Sequence, residues 1–340
     1  TWGTNKIILD SNGLNYQGED DSLNVEYSTN GETINIVYSG STKGWIPLDD
    51  GEVVDAPEAP STQRAIFAFG NTGSVTNISS LVNSSGVVGS DVSGVGSARK
   101  TVAAVSYGGD KAIYYCGNNA MVSNLVSNQG VVAADVTGVG TNGNRRVGCP
   151  YGGDKGIFSY TNSTNETNLV SNQGVVASSV TGVGTNRDAM GGAGFGSANS
   201  RGIWAYGQGG YNISNLISTT GVVSSNVAGV GTARYNLCGT MFGGDQGIFG
   251  YGYDWTTVTN KVSNTGVVAS DTAGAGTPAY DKAAAPYGGD KGIFAFGQLE
   301  GVGLSSITNL ISNTGVTASN TTGVGVARKE LAGAGYSFSA

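Results

Sequence analysis

A unit of about 45 residues recurs six times along the chain and ends half a unit out of phase. In each copy a glycine opens Gly-Val-Val or Gly-Val-Thr: Gly86, Gly130, Gly174, Gly221, Gly266 and Gly315. Eight residues later stands a second glycine, and two further on a third (Gly96, Gly140, Gly184, Gly231, Gly276, Gly325). From that third glycine it is 11 residues to an aromatic in every copy: Tyr107, Tyr151, Phe195, Phe242, Tyr287, Tyr336. A period in this range means stacked or radially arranged units, so the fold must be read from the repeat.

Within a unit the pattern is that of short strands. A first strand of small residues, such as Thr101–Ser106 or Lys282–Ala285, leads into a Gly-Gly-Asp turn at 108–110, 152–154, 243–245 and 288–290. Gly and Asp supply the positive-φ positions of a tight hairpin. The second strand is aromatic and β-branched: Ile66-Phe67-Ala68-Phe69, Ile113-Tyr114-Tyr115-Cys116, Ile203-Trp204-Ala205-Tyr206 and their equivalents. Such a run predicts a strand buried on both faces, with Trp204 in the core. A third strand follows (Asn168–Ser171 and equivalents), and Gly-Val-Val opens a fourth. No helical apolar period occurs.

Four antiparallel strands per unit at this length predict a six-bladed β-propeller over residues 63–340. The phase supports closure. The first unit begins at its second strand, Ala65-Ile66, and the chain end supplies the missing first strand at Lys329–Gly335. A C-terminal strand completing the first blade would leave no sheet edge open between the ends. A linear solenoid would instead carry polar capping repeats at both ends, and none is visible.

Composition excludes several function classes. The chain holds 58 Gly, 12% charged residues and no His, with a net charge of −7. No run of Lys or Arg marks a nucleic-acid footprint. No apolar stretch reaches membrane-spanning length, and no signal peptide is visible. The first residue is Thr rather than Met, as expected for the mature or trimmed part of a longer product. Cys116, Cys149 and Cys238 have no metal spacing and read as buried, inert thiols. Without His, triad chemistry with a His base and His-ligated metals are excluded. The Gly-Gly-Asp carboxylates read as turn residues rather than a catalytic ring, and so do Asp91, Asp135 and Asp271, with calcium as the alternative. The expectation is a non-enzymatic protein with no cofactor, no catalytic residue and no metal site.

The paired glycines between the first two strands, and an Arg ahead of the first strand, resemble Kelch-type propellers. That Arg is Arg99, Arg187, Arg234 and Arg328, replaced by Gly143 and Ala279 in the other two units. The Tyr–Trp pair usual in Kelch blades is missing. The four arginines read as a structural ring tying neighbouring carbonyls, with an anion or sugar-acid site as the alternative. The wording of the repeat, as in Tyr151–Phe158 and Thr167–Gly184, resembles repeats in bacteriophage tail and appendage proteins. That resemblance, covering residues 63–340, implies a virion location outside the cell.

Residues 1–54 form a different, small β domain. Strands are expected at Lys6–Leu9 and Thr33–Tyr38, with turns at Asn12-Gly13 and Asn30-Gly31. The stretch Ile36–Trp45 resembles the strand-turn-Gly-Trp ending of small phage tail-fibre units, which commonly trimerise. Residues 55–62 read as a Pro-containing linker. A domain this small barely buries a core. Residues 1–62 are therefore expected either to pack on partner copies, in a homotrimer, or on another virion protein; an appendage resting on the propeller is the alternative.

Length variation is confined to the second-to-third-strand loops, where binding residues gather. From the second-strand Ile to the Gly-Val-Val glycine the spacing runs 20, 17, 17, 18, 18 and 22. Two loops combine aromatic with polar groups: Gln208, Tyr211 and Asn212 in one, Tyr253, Asp254 and Trp255 in the other, with Gln298 in the longest. Rings that stack on sugar faces beside groups that take hydroxyls predict glycan binding. The expectation is a tail fibre or adhesin recognising a host-surface glycan or receptor. The alternatives are a structural tail, nozzle or capsid-decorating subunit, or a cellular surface lectin.

Overall fold

The computed structural model describes residues 6–20, 24–28, 34–48, 63–118, 120–161 and 163–337. Two compact units divide the chain, Thr1–Ser61 and Thr62–Ala340. The linker expected at 55–62 and the Asn30-Gly31 turn lie outside the described residues.

The chain is all-β, built from small antiparallel sheets. Among the described residues there is no α-helix, only one 3-10 turn at Ser197–Asn199. In the larger unit six sheets repeat one plan. The first strands are Ala103–Tyr107, Gly148–Tyr151, Gly191–Phe195, Cys238–Phe242, Ala283–Tyr287 and, from the chain end, Ala332–Ser337. Each pairs with a second strand such as Lys111–Tyr115, which pairs with a third such as Val122–Val126. Ala332–Ser337 pairs with Gln63–Ala68, placing Ala334 opposite Ile66, so the two chain ends share one sheet. The second strands are buried on both faces; Ile66, Phe67, Ile113, Tyr114 and Trp204 are wholly inaccessible.

The fourth strand departs from expectation. Gly-Val-Val does not open a continuous strand, except that Val88–Val92 pairs with Ser79–Val82 across a register shift. Elsewhere it makes a single bridge, as Val126 with Val132, and pairing then resumes over two residues (Val136–Thr137, Val180–Thr181) or a second bridge. Three sheets thus have four strands and three have three. The turn glycine meets the neighbouring sheet in all six units, the one with a continuous fourth strand included. Gly86 has φ +82°, and a Cβ there would lie 2.8 Å from the Tyr287 ring of the neighbouring sheet. Gly130, Gly174, Gly221, Gly266 and Gly315 meet Tyr336, Tyr107, Tyr151, Phe195 and Phe242 in the same way. The glycine and the aromatic that mark the repeat are two halves of one inter-sheet contact.

Two further sets of bonds join successive sheets. Ahead of each first strand one residue is left-handed: Thr101, Arg145, Ala189, Asn236, Asp281 and Glu330, with φ between 53° and 58°. A non-glycine residue adopts this conformation only where its surroundings hold it there. Each donates its amide to the carbonyl of its counterpart one unit back: Arg145 to Thr101, Ala189 to Arg145, Asn236 to Ala189, Asp281 to Asn236, Glu330 to Asp281 and Thr101 to Glu330, at 2.7–3.3 Å. The six bonds form a cycle. At the opposite ends of these strands Gly108, Gly152, Gly196, Gly243 and Gly288 donate forward to Asp154, Ser200, Asp245, Asp290 and Gln63.

Among its described residues the smaller unit holds two two-stranded sheets, Ile7–Leu9 with Val25–Tyr27 and Ile36–Tyr38 with Trp45–Pro47. The second begins three residues later than the sequence suggested. Asn12 and Gly13 both have positive φ, as a tight turn there requires. Tyr16, Val25 and Tyr27 form a small core, with the Tyr16 and Tyr27 hydroxyls hydrogen-bonded. All three residues of Ile36–Tyr38 are exposed.

Candidate functional site

The sequence singled out four arginines, and all four are buried. Arg99 donates through Nε to the Cys116 carbonyl at 2.9 Å and through its fork to the Ser97 carbonyl and Asn124 Oδ1. Arg187 does the same to Tyr206, Thr185 and Asn215, and Arg234 to Tyr251, Thr232 and Asn260. Arg328 reaches the Phe67 and Val326 carbonyls and Ser80 Oγ. These partners all lie in the sheet each arginine leads into or in its own connection. The link to the preceding sheet is a ring face: Arg99 lies 4.0 Å from the Phe69 centroid, Arg234 4.3 Å from Tyr206 and Arg328 4.1 Å from Phe296. Apart from Arg328 Nε, which is buried without a partner, the donors named here are taken by internal acceptors, which is a structural role. Burial holds the Arg99 and Arg187 guanidinium pKa values down at about 10.

The two units that lack this Arg supply a cation three residues later. Arg146 is buried and donates to the Ser159 and Thr141 carbonyls and to Asn168 Oδ1. Lys282, also buried, donates to the Phe296 carbonyl at 3.1 Å and lies over the Tyr251 ring at 4.9 Å. Burial pulls its pKa down to about 8. The sequence carried the signal: where the other units have Val102, Met190, Leu237 and Leu331, these two have Arg146 and Lys282. The lysine cannot reproduce the fork, and Asn309 Oδ1 is buried without a partner.

Asp91, Asp135 and Asp271 are cross-links rather than turn residues. Asp135 accepts from the Ser97 amide and hydroxyl and from Asn124 Nδ2. Ser179, Asn226 and Asn320 take the same place in the other units. Among the described residues no cluster of acids and cysteines is arranged to hold a metal. The three cysteines are buried, and burial raises their thiol pKa values, that of Cys238 to about 12.

The second-to-third-strand loops adjoin the connections that lead into the next sheet. Gly207 donates to the Arg234 carbonyl, Gly252 to Ala279, Gly297 to Arg328 and Gly70 to Arg99. Tyr253 and Trp255 come together here with two residues from outside these loops, Tyr235 and Tyr280. Tyr253 stacks on Tyr235 (centroids 4.7 Å, 24°) and meets Tyr280 edge-on at 5.4 Å. Trp255 meets Tyr280 edge-on at 4.7 Å, and Lys329 Nζ lies 5.5 Å from the Tyr280 ring. Tyr253 is 39% exposed, and the other three rings are partly buried. The Tyr253 amide bonds the Tyr235 carbonyl, and Asp254 and Trp255 are both left-handed. Gln298 pairs with Tyr280 in an extra three-stranded sheet, Ala279–Tyr280, Gln298–Leu299 and Gly303–Leu304, built by the longest loop.

Gln208, Tyr211 and Asn212 lie elsewhere. The Asn212 amide is committed to the Gly231 carbonyl at 3.0 Å, as Asn77 and Asn165 are to Gly96 and Gly182. Tyr211 folds back over Gly209, and Gln208 is exposed on a groove beside Asp188 and Arg145.

Beside the aromatic group, the cycle of backbone bonds surrounds a cavity of about 90 Å³ lined by Arg145, Asn236, Asp281 and Glu330. Arg145 reaches Asn236 Oδ1 at 3.2 Å and Glu330 at 3.8 Å, and Lys100 pairs with Glu330 at 3.0 Å. Burial and the Glu330 charge push the Asp281 carboxyl up to about 6, against the pull of Arg145, Lys329 and Lys100. Tyr235 and Tyr280 belong to a row legible in the sequence: the fourth residue after each third glycine reads Lys100, Asn144, Asp188, Tyr235, Tyr280, Lys329. No protein-family model and no curated protein matches the chain.

Proposed function

We propose that residues 63–337 form a six-bladed β-propeller on a non-enzymatic virion appendage, and that Tyr235, Tyr253, Trp255 and Tyr280 are its platform for a host-surface glycan. The propeller reading is supported by the backbone cycle from Thr101 through Glu330 and back, and by the shared sheet of the two chain ends. The observation that carries the binding reading is the row at the loop face. In a repeat whose other marked positions hardly change, this one position varies from cation to amide to acid to aromatic. Uniform positions serve the architecture, and loop positions of varied chemistry serve recognition. Stacked, partly exposed rings flanked by charged and amide groups suit a pyranose: the ring faces take its C–H surface and the polar groups its hydroxyls.

Residues 1–62 are assigned to attachment, in a homotrimer or on another virion protein. Exposed Ile8, Ile36, Val37, Tyr38 and Leu48 support this role. A second reading, a structural subunit, is favoured by six equivalent valines (Val87, Val131, Val175, Val222, Val267, Val316), each 61–66% exposed.

The test is binding of the intact protein to a glycan array and to host cells, beside Tyr253→Ala/Trp255→Ala. Saturable binding by the wild type and its loss in the variant, with an unchanged melting temperature, is expected. Array binding that survives the double substitution overturns the platform. No binding by the folded wild type, with loss of particle assembly in the variant, favours the structural reading.

A further inference from the structure

The groove beside Gln208 belongs to neither the buried cations nor the aromatic platform. It is about 460 Å³, within the roughly 300–1,000 Å³ range of small-ligand sites. Among the described residues Asn144, Arg145, Thr161, Ser163, Asp188 and Gln208 line it, and these carry amides, hydroxyls, one acid and one cation and no aromatic ring. It opens over the unit in which Gly143 replaces the leading arginine. In the other unit that lacks this arginine, the long loop instead places the buried Leu299 opposite Ala279.

Asp188 is the unusual member. It is 5% exposed, and its Oδ1 is buried with no hydrogen-bond partner. A buried acceptor left unmade costs about 1–3 kcal/mol, a cost that is relieved if the carboxylate turns to meet a donor in the groove that Asp188 lines. Burial raises the Asp188 carboxyl pKa, against the pull of Arg145.

The charges select the donor. A cation in the groove would meet Arg145, and an anion would meet Asp188. A neutral ligand with several hydroxyls meets neither conflict: it can donate to Asp188, accept from Arg145, and exchange bonds with Thr161, Ser163, Asn144 and Gln208. We infer that this groove is a second subsite that takes one neutral pyranose by its hydroxyl edge, with the Asp188 carboxylate turning into the groove it lines to accept from the sugar. The inference rests on the glycan reading proposed above, which it deepens. Arg145 lines both the groove and the cavity beside the aromatic platform.

The probes are methyl α-glucoside, methyl α-galactoside and methyl α-mannoside, with methyl glucuronide as the anionic control. Saturation-transfer NMR and calorimetry are run on the intact wild type, Asp188→Asn, Gln208→Ala and Tyr253→Ala. The expected result is millimolar binding of at least one neutral glycoside and no binding of the glucuronide. Two classes of binding are expected, one weakened at least tenfold in Asp188→Asn and the other in Tyr253→Ala. If Asp188→Asn fails to fold, the exposed Gln208→Ala carries the test, with a weakening of about threefold or more expected. Three results overturn the inference: no neutral glycoside binds, the glucuronide binds better, or binding is indifferent to the groove variants. Binding lost in Tyr253→Ala but kept in Asp188→Asn would leave the platform standing and remove the groove. The reverse would keep the groove and remove the platform.

Discussion

Residues 63–337 and residues 6–48 are built of the same material, short antiparallel strands, and differ in what the strands do with their edges. In the larger unit each sheet buries both faces of its second strand against neighbours, and the joining backbone bonds run from Thr101 round to Glu330. Among the described residues of the smaller unit two ribbons share a core of three buried residues, and Ile36–Tyr38 is exposed, with Tyr38 meeting the Trp45 ring at 5.4 Å. Repetition lets many marginal sheets stabilise one another, because each is the wall of the next. A pair of ribbons has no such neighbour and is left with apolar surface that a partner can cover.

The comparison breaks most severely if the last strand is removed. Deleting residues 332–340 strips Gln63–Ala68 of its partner and the adjoining sheets of their neighbour. The expected outcome is loss of the cooperative thermal transition of the larger unit, read by circular dichroism. Next come the buried cations. Arg99→Met leaves the Asn124 and Cys116 acceptors unpaired and should cost about 3–5 kcal/mol in urea unfolding, the range for breaking a buried charged network. Lys282→Met, which removes a single carbonyl bond, should cost about 1–2 kcal/mol.

A smaller effect is expected from pH. The Asp281 carboxyl is raised to about 6, against about 3.9 when unfolded, so the folded chain holds that proton more tightly. Stability from this group is fully present below about pH 4 and is lost as pH rises towards 6. Wild type should therefore lose roughly 1–2 kcal/mol relative to Asp281→Asn between pH 4 and pH 7. Equal slopes for the two proteins would contradict it. Smallest in stability are Val37→Ser and Tyr38→Ser in the small unit, expected within about 0.5 kcal/mol because both side chains are already exposed. Their effect should appear in the oligomer mass by light scattering. An unchanged mass would show that this face is not a contact between copies.

Much of this fold was legible because the repeat overdetermines it. The Gly-Val-Val glycine and the aromatic 11 residues after the third glycine are separate marks in the sequence, and in the fold they meet, as Gly130 does Tyr336. The shared sheet of the chain ends followed from the half-unit phase. What escaped reading was local compensation. The glycine that opens the fourth strand lies against a neighbouring ring in every unit, a constraint that lies outside the strand. Arg146 and Lys282 escaped because a cation can reach the same acceptors from a position three residues later. At the candidate site, Tyr253 and Trp255 were visible as an unusual loop. Tyr235 and Tyr280 were not, because they sit where loop length is fixed and only the chemistry of the position varies.

The central claim is that the larger unit has no free end, and native-state hydrogen exchange on the intact chain tests it most directly. The amides of Ala332–Ser337 and Gln63–Ala68 should exchange with the same opening free energy as those of Lys155–Phe158, in the third of the six sheets. Exchange a hundredfold or more faster in the terminal strands would mean that the ends fray as in an open array, and would contradict the closed account.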